Sequence, residues 1–315
     1  MADPRPRVVI ARYIPEAGRS LLAERFELDE DGSAELSERV VGAAAIVADP
    51  TVPVDGALLD AAGDPLRIVA NFAVGYDNIE LDACRERSVI VTNTPDVLTN
   101  ATAELALALM LAAGRRLGEG ERMVRAGRWH GWGPGQLLGR ELSGSVVGIV
   151  GLGRIGSRVA ELLHPFGVTL LCATRSPKPD EEARLGAERV TLEDLLGRAD
   201  FVTLHVPLSP ETRHLIDEAA LRRMKPGAVL VNTARGGLVD SAALARALRE
   251  GRLFAAGLDV YEHEPLVPAE LLELEHVVLA PHIGSATTTA RDGMARLAAE
   301  NVIAVLEGRA PITPV

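Results

Sequence analysis

Lysine is almost missing from this chain: only Lys178 and Lys225 occur, and neither follows a glycine. A phosphate loop ending in Gly-Lys therefore cannot be built, which excludes P-loop kinases and ATPases. Cysteine is equally scarce, with Cys84 and Cys172 alone, so neither a disulfide framework nor a cysteine-rich zinc site can form within one chain. The two thiols read as small core residues in a reducing, cytoplasmic setting. No HExxH and no G-x-S-x-G occurs, which removes the commonest zinc-protease and serine-hydrolase signatures, and no metal site is expected. Long apolar runs are missing too. The most apolar stretch, residues 103–113, is far short of the ~20 residues a membrane span needs. Residues 1–7 lead into a short apolar run without a signal core or a small-residue cleavage site, so neither export nor a membrane partner is expected. Positive charge is also in deficit. The formal net charge is −11, which repels nucleic-acid phosphates and anionic membranes over a Debye length of ~10 Å, so no nucleic-acid partner is expected.

What remains is a chain of 315 residues, 47% hydrophobic and 24% charged. That balance suits a globular protein with a large core, and at about 150 residues per domain the length favours two domains. Short β-branched runs alternate with helical patterns, which predicts βα units and parallel sheets. A first series of strands is predicted at 7–11, 44–48, 67–71 and 89–92. Pro95 then breaks the pattern, and Thr99 or Asn100 caps a helix running to Arg116. After a Gly/Trp-rich loop at 129–135, six further strands are expected at 145–150, 168–173, 201–205, 228–233, 255–260 and 277–280. Six strands suggest one doubly wound sheet. The closing helical pattern, 287–306, is too long and apolar to stand free and is expected to return to the first domain.

A strand at 145–150 runs into Gly151-Leu152-Gly153-Arg154-Ile155-Gly156, and a helical pattern continues to Phe166. In this context Gly151 permits the tight turn, Gly153 the approach of a pyrophosphate, and Gly156 the packing of helix on strand. The end of the following strand selects the dinucleotide. An NAD enzyme places Asp or Glu there for the ribose hydroxyls, but this chain has Thr174-Arg175-Ser176 and no carboxylate. Arg175 can pair with a 2′-phosphate and the flanking hydroxyls can donate to it, with Lys178 adding a weaker attraction, so NADP(H) is expected to be preferred and NAD(H) accommodated. Arg175 as a merely solvated arginine is the plainer alternative.

Three later strands are each followed by a chemically useful residue, where doubly wound sheets bind ligands. Arg235 can hold a carboxylate by a two-pronged hydrogen bond. His282 can exchange a proton near neutral pH, and Glu264 can orient its ring. Any one of these residues alone is more often structural, as His205, His214 and His263 would be. Together they point to an anionic carbonyl compound.

These segments resemble the D-isomer-specific 2-hydroxyacid dehydrogenases. The likeness spans nearly the whole chain: NFAVGYDN at 71–78, TPDVLT at 94–99, Ala103-Glu104, GLGRIG at 151–156, NTARG at 232–236, Glu264-Pro265 and PHIG at 281–284. Within that family the loop 129–134, Leu137-Leu138-Gly139 and the residues 174–176 are most similar to glyoxylate/hydroxypyruvate reductases. The resemblance implies a flavodoxin-like substrate domain, 1–98 plus 286–315, with a Rossmann dinucleotide-binding domain, 99–285, inserted in it. It implies that His282 is the general acid in reduction, Glu264 its partner and Arg235 the clamp on a short 2-oxo acid, with backbone N–H groups of Val74 and Gly75 on the same carboxylate. Cofactor contacts are implied for Thr102, Arg154, Ile155, Pro207, Thr212, Thr233, Ala234, Asp259, His282 and Gly284. A homodimer is implied as well, formed through the helix and loop after residue 101, with Trp132 either packing that loop or lining a substrate cleft. Other expected activities within the family are 2-ketogluconate reduction and phosphoglycerate oxidation, though no appended regulatory domain is read for the latter. A dinucleotide-sensing scaffold of the co-repressor kind is the reading from a different class.

Overall fold

The computed structural model describes residues 5–30 and 32–315. Residues 1–4, part of the stretch read as lacking a signal core, lie outside them. The chain forms two compact units, Met1–Leu98 with Ser285–Val315, and Thr99–Gly284. Among the described residues no helix is long and apolar enough to cross a membrane.

The first unit holds five parallel strands: β1 (Arg7–Ile10), β2 (Glu27–Asp29), β3 (Ala45–Ala48), β4 (Ile68–Asn71) and β5 (Ile90–Thr92). Their order, β2-β1-β3-β4-β5, is the flavodoxin-like one. β3 and β4 are buried along their whole length, which explains the apolar runs AIVA and, up to the buried Asn71, IVA. β2 was not expected. Its sequence, Glu-Leu-Asp, is three residues long with a single apolar side chain, and it is placed at the edge by Asp29, which receives Arg7 at 3.0 Å and the buried Arg39 at 2.8 Å. The helix Thr288–Leu306 starts at Thr287, whose hydroxyl accepts the Ala290 N–H. It packs on β3, β4 and the helix Glu16–Ala23. Gly18 makes that approach close, because a Cβ there would sit 2.2 Å from the Ala295 carbonyl oxygen.

The second unit holds seven parallel strands: β6 (Val146–Val150), β7 (Thr169–Ala173), β8 (Ala187–Arg189), β9 (Phe201–Leu204), β10 (Ala228–Asn232), β11 (Leu253–Leu258) and β12 (Val277–Leu279). The order is β12-β11-β10-β9-β6-β7-β8, so the winding reverses between β6 and β9. Doubly wound sheets bind ligands beyond the strand ends at that reversal. The seventh strand, β8, is a short polar edge piece, Ala-Glu-Arg, paired only with β7, which is why alternation did not reveal it. The helix Thr99–Gly114 ends before the expected Arg116, which takes a left-handed φ of +53° and starts a second helix, Leu117–Arg125. The first helix is apolar around its circumference because it lies on β10, β11 and β12 and also meets the helix Arg154–Leu163.

Candidate active site

β6 delivers the chain into Gly151, at φ +96°, a conformation L side chains rarely adopt. A Cβ there would lie 2.7 Å from the His205 carbonyl oxygen at the end of β9. Gly156 leaves no more room, since its Cβ would approach the Gly151 oxygen to 2.0 Å. Gly153 is the opposite case, with no atom within 4 Å of an added Cβ. It caps the helix Arg154–Leu163, so backbone N–H groups at a helix start face the one glycine of the motif with open space around it. Ile155 packs against the core beneath.

These features fit a dinucleotide. A second observation agrees: the Thr233 hydroxyl is buried and has no hydrogen-bond partner among the described residues, the state of a group that a ligand completes. Ala234, beside it, is held by its N–H on the buried Asn232 side chain at 3.0 Å. Pro207 and Thr212 are joined, the Thr212 hydroxyl donating to the Pro207 carbonyl at 2.7 Å. Thr102, on the helix Thr99–Gly114, converges with Asp259 on Gly284, where an added Cβ would meet Asp259 Oδ2 at 3.2 Å and Thr102 Cγ2 at 3.5 Å.

At the β7 end, Arg175 is exposed, and the Thr174 hydroxyl donates to the Ser176 carbonyl at 2.9 Å. That hydroxyl proton is therefore already used within the loop. Lys178, expected to add a weaker attraction to the phosphate, is tied to the glycine turn. Its Nζ donates to the Leu152 carbonyl at 2.8 Å, inside the glycine turn.

The acid–base cluster grows from the ends of β10, β11 and β12. After β10, the buried Asn232 donates to the Arg235 carbonyl at 2.8 Å and so shapes the turn that presents Arg235. Gly236 seats that turn against the next segment, since a Cβ there would be 1.9 Å from the Tyr261 carbonyl carbon. After β11, Glu264 has both oxygens engaged: Oε1 accepts the Tyr261 N–H at 3.0 Å and Oε2 meets His282 Nδ1 at 2.7 Å. Burial pushes the Glu264 carboxyl up, but the hydrogen bonds from His282 and Tyr261 and the charges of His282 and Arg235 outweigh it and hold it below its ordinary range. Glu264 is thus a carboxylate at neutral pH, and occupying Nδ1 leaves Nε2 as the ring's outward nitrogen.

His282 itself sits at φ +54°, a strained conformation for a non-glycine residue, costing about 1–2 kcal/mol. Asp259, fully buried, holds it there. The Asp259 carbonyl accepts the His282 N–H at 2.9 Å, and its two carboxylate oxygens accept Ile283 N–H and Gly284 N–H, both at 2.7 Å. Burial raises the Asp259 pKa despite these bonds. Tyr261 is pushed up to about 12, by burial first and then by the charges of Asp259 and Glu264, and its hydroxyl donates to the Ala280 carbonyl at 2.9 Å. Tyr261 was missed in the sequence, and Asn232 and Gly236, within the motif at 232–236, were given no role of their own. Only the position of Asn232 at a strand end hinted at one.

The structure brings Arg235, Glu264 and His282 into one cluster within the unit Thr99–Gly284, together with the dinucleotide turn. Trp132, in the same unit, stands 84% exposed on the loop after the helix Leu117–Arg125. Val74 and Gly75 belong to the other unit, on the loop that follows β4.

A family model described as D-isomer specific 2-hydroxyacid dehydrogenase, NAD binding domain, matches residues 107–284. The chain is 49% identical to the glyoxylate reductase of Thermococcus kodakarensis over 319 residues, covering 98% of this chain and 96% of that protein. The crystal structure of a Thermus thermophilus protein is similar with a TM-score of 0.92 and 46% identity, over 98% of this chain and 99% of that one. That of the NADPH-dependent glyoxylate/hydroxypyruvate reductase from Sinorhizobium meliloti, in complex with NADP and malonate, gives 0.90 and 36% over 99% and 97%. With a match across most of the nucleotide unit and relatives at nearly half identity along almost the full length, the chain belongs to the D-isomer-specific 2-hydroxyacid dehydrogenases.

Proposed function

We propose that this enzyme reduces glyoxylate to glycolate and hydroxypyruvate to its D-2-hydroxy acid, with NADPH preferred over NADH. The observation that carries the chemistry is the 2.7 Å pair between His282 Nδ1 and Glu264 Oε2 beside Arg235. A bound nicotinamide cofactor would supply the hydride, held by the turn 151–156 with Thr102, Pro207, Thr212, Thr233, Ala234, Asp259 and Gly284. Arg235 holds the substrate carboxylate by a charge-assisted fork, and the N–H groups of Val74 and Gly75 are assigned to the same carboxylate. His282 gives the proton on Nε2 to the carbonyl oxygen as it gains charge, while the Glu264 carboxylate keeps the ring aimed and stabilises its charged form.

The substrate choice is supported by the names of the relatives above and the cofactor choice by Arg175. Residues 174–176, directly after β7, include no carboxylate. The Glu211 carboxyl, held down first by a hydrogen bond from Ser209, is lowered further by the Arg175 charge, so the guanidinium's field reaches the surface beside β9. The homodimer is proposed from exposed apolar side chains on the helices Thr99–Gly114 and Leu117–Arg125 and the loop after them: Leu111, Leu117, Val124, Trp129, Trp132 and Leu138. A cytoplasmic setting is proposed from the two buried, unpaired cysteines, Cys84 and Cys172.

The test is a panel of 2-oxo acids, from glyoxylate and hydroxypyruvate to pyruvate and 2-ketogluconate, assayed with NADPH and NADH. The highest kcat/KM is expected for one of the first two with NADPH. A best rate with 2-ketogluconate reassigns the substrate, and no turnover with any acid favours a nucleotide-sensing scaffold.

A further inference from the structure

In the unit that carries β1–β5, polar groups converge on the backbone of residues 73–75. β5 is an edge strand, and the last residues of the sequence run antiparallel to it. Thr92 pairs with Pro314, and the Val315 N–H donates to the Val91 carbonyl at 3.0 Å. Thr313 grips Asn93 on both sides: the Asn93 N–H donates to the Thr313 carbonyl at 3.2 Å, and the Thr313 hydroxyl donates to the Asn93 carbonyl at 2.6 Å. Thr313 is itself held by Asn301, fully buried in the helix Thr288–Leu306. Asn301 Oδ1 accepts the N–H groups of Ile312 and Thr313 at 2.8 and 3.0 Å, and its Nδ2 donates to the Thr313 hydroxyl at 2.9 Å and the Leu297 carbonyl at 2.8 Å. Every polar position of that amide is used.

With its backbone locked, Asn93 donates from Nδ2 to the Val74 carbonyl at 2.8 Å, and the Thr94 N–H donates to the Ala73 carbonyl, also at 2.8 Å. A trans peptide is planar, with its C=O and N–H pointing in opposite directions. Fixing the Ala73 carbonyl therefore aims the Val74 N–H, and fixing the Val74 carbonyl aims the Gly75 N–H, away from Thr94 and Asn93. Neither N–H donates to another described group. Asn71 Nδ2 holds the Gly75 carbonyl at 2.8 Å and closes the next peptide. A hydrogen bond on the carbonyl also polarises the N–H across the same peptide, which makes it a better donor.

We infer that Asn93, braced by Thr313 and Asn301, is a positioning residue for the substrate: it aims the Gly75 N–H at the carboxylate of the 2-oxo acid. This rests on the assignment of Val74 and Gly75 to that carboxylate. It makes the segment Ile312–Val315 a determinant of substrate affinity, through Asn93.

The experiment is steady-state glyoxylate reduction at saturating NADPH. Asn93→Ser is too short to reach Val74, and Thr313→Val keeps the shape but removes the hydroxyl. The KM for glyoxylate is expected to rise about tenfold in Asn93→Ser, the loss of one hydrogen bond, and about threefold in Thr313→Val. The kcat and the KM for NADPH stay within about twofold, since this loss is one of substrate binding in both ground and transition states. Gly75→Pro removes the N–H itself and reports on the loop alone. A raised KM in Gly75→Pro with unchanged KM in Asn93→Ser and Thr313→Val overturns the positioning role and leaves the loop assignment standing. Unchanged KM in all three overturns both. If Asn93→Ser does not fold, by its melting curve, Thr313→Val decides, and an unchanged glyoxylate KM there overturns the inference.

Discussion

Glu264 does its work as a charge, and its lowered pKa keeps it ionised throughout the neutral range. Replacing it by Gln keeps the shape and removes the charge. If that charge serves the proton transfer, Glu264→Gln lowers kcat for glyoxylate reduction about tenfold or more with NADPH affinity unchanged. A kcat equal to that of the wild type would show that the 2.7 Å pair is structural. Arg235 contributes differently. In the proposed reaction it acts on the carboxylate, which carries the same charge before and during reaction, so Arg235→Ala should raise the KM for the 2-oxo acid about 10- to 100-fold, the range of a lost charge-assisted bond. A fall in kcat with KM unchanged would place Arg235 on the reacting oxygen instead. The strained φ of His282, +54°, belongs to the same scale, because three hydrogen bonds through Asp259 hold it there.

Among the elements, the β7 end is where the proposed preference for NADPH is tested. If Arg175 meets a 2′-phosphate, Arg175→Ala raises the KM for NADPH about 10- to 100-fold and leaves NADH kinetics nearly alone. Equal losses with both nucleotides would make Arg175 a general loop residue. The β9 end carries a pH dependence of stability. Burial lowers the His205 pKa to about 4, with Thr203 Oγ1 2.9 Å from Nε2. The unfolded chain takes up a proton near pH 6.5 that the folded chain refuses until about pH 4. Stability is therefore full above pH 6.5 and declines as pH falls toward 4. His205 as a residue is only half-buried, so the loss is put at about 1–2 kcal/mol, below the unscreened limit. His205→Gln should flatten that part of the curve, read from denaturant midpoints between pH 7.5 and 5. The central strands were readable because burial on both faces forces apolar runs such as AIVA and VVGIV. β2 and β8 were not, being three-residue polar edges placed by pairing and, at Asp29, by two arginines. The glycine turn was readable because Gly151 and Gly156 answer local steric demands and Gly153 leaves open space at the helix start. The amides of Asn93 and Asn301 were not, since their meaning lies in the Val74 carbonyl and the Thr313 hydroxyl, which only the tertiary structure brings near.

At the scale of the whole molecule, Arg235, Glu264, His282 and the dinucleotide turn all belong to the unit Thr99–Gly284, and the sheet reversal between β6 and β9 lies within it. The exposed Leu117, Val124, Trp129 and Trp132 of that unit predict a dimer by sedimentation at micromolar concentration, and a Leu117→Glu/Val124→Glu variant should dissociate it. A monomeric wild-type chain would contradict that assembly. The central claim is that this fold carries out hydride transfer with His282 as the proton donor. It is tested most directly by the kcat of His282→Ala for glyoxylate with NADPH, alongside NADPH affinity measured by direct titration. The account predicts a loss of about 10²- to 10⁴-fold in kcat with nucleotide affinity unchanged; turnover near that of the wild type would contradict it.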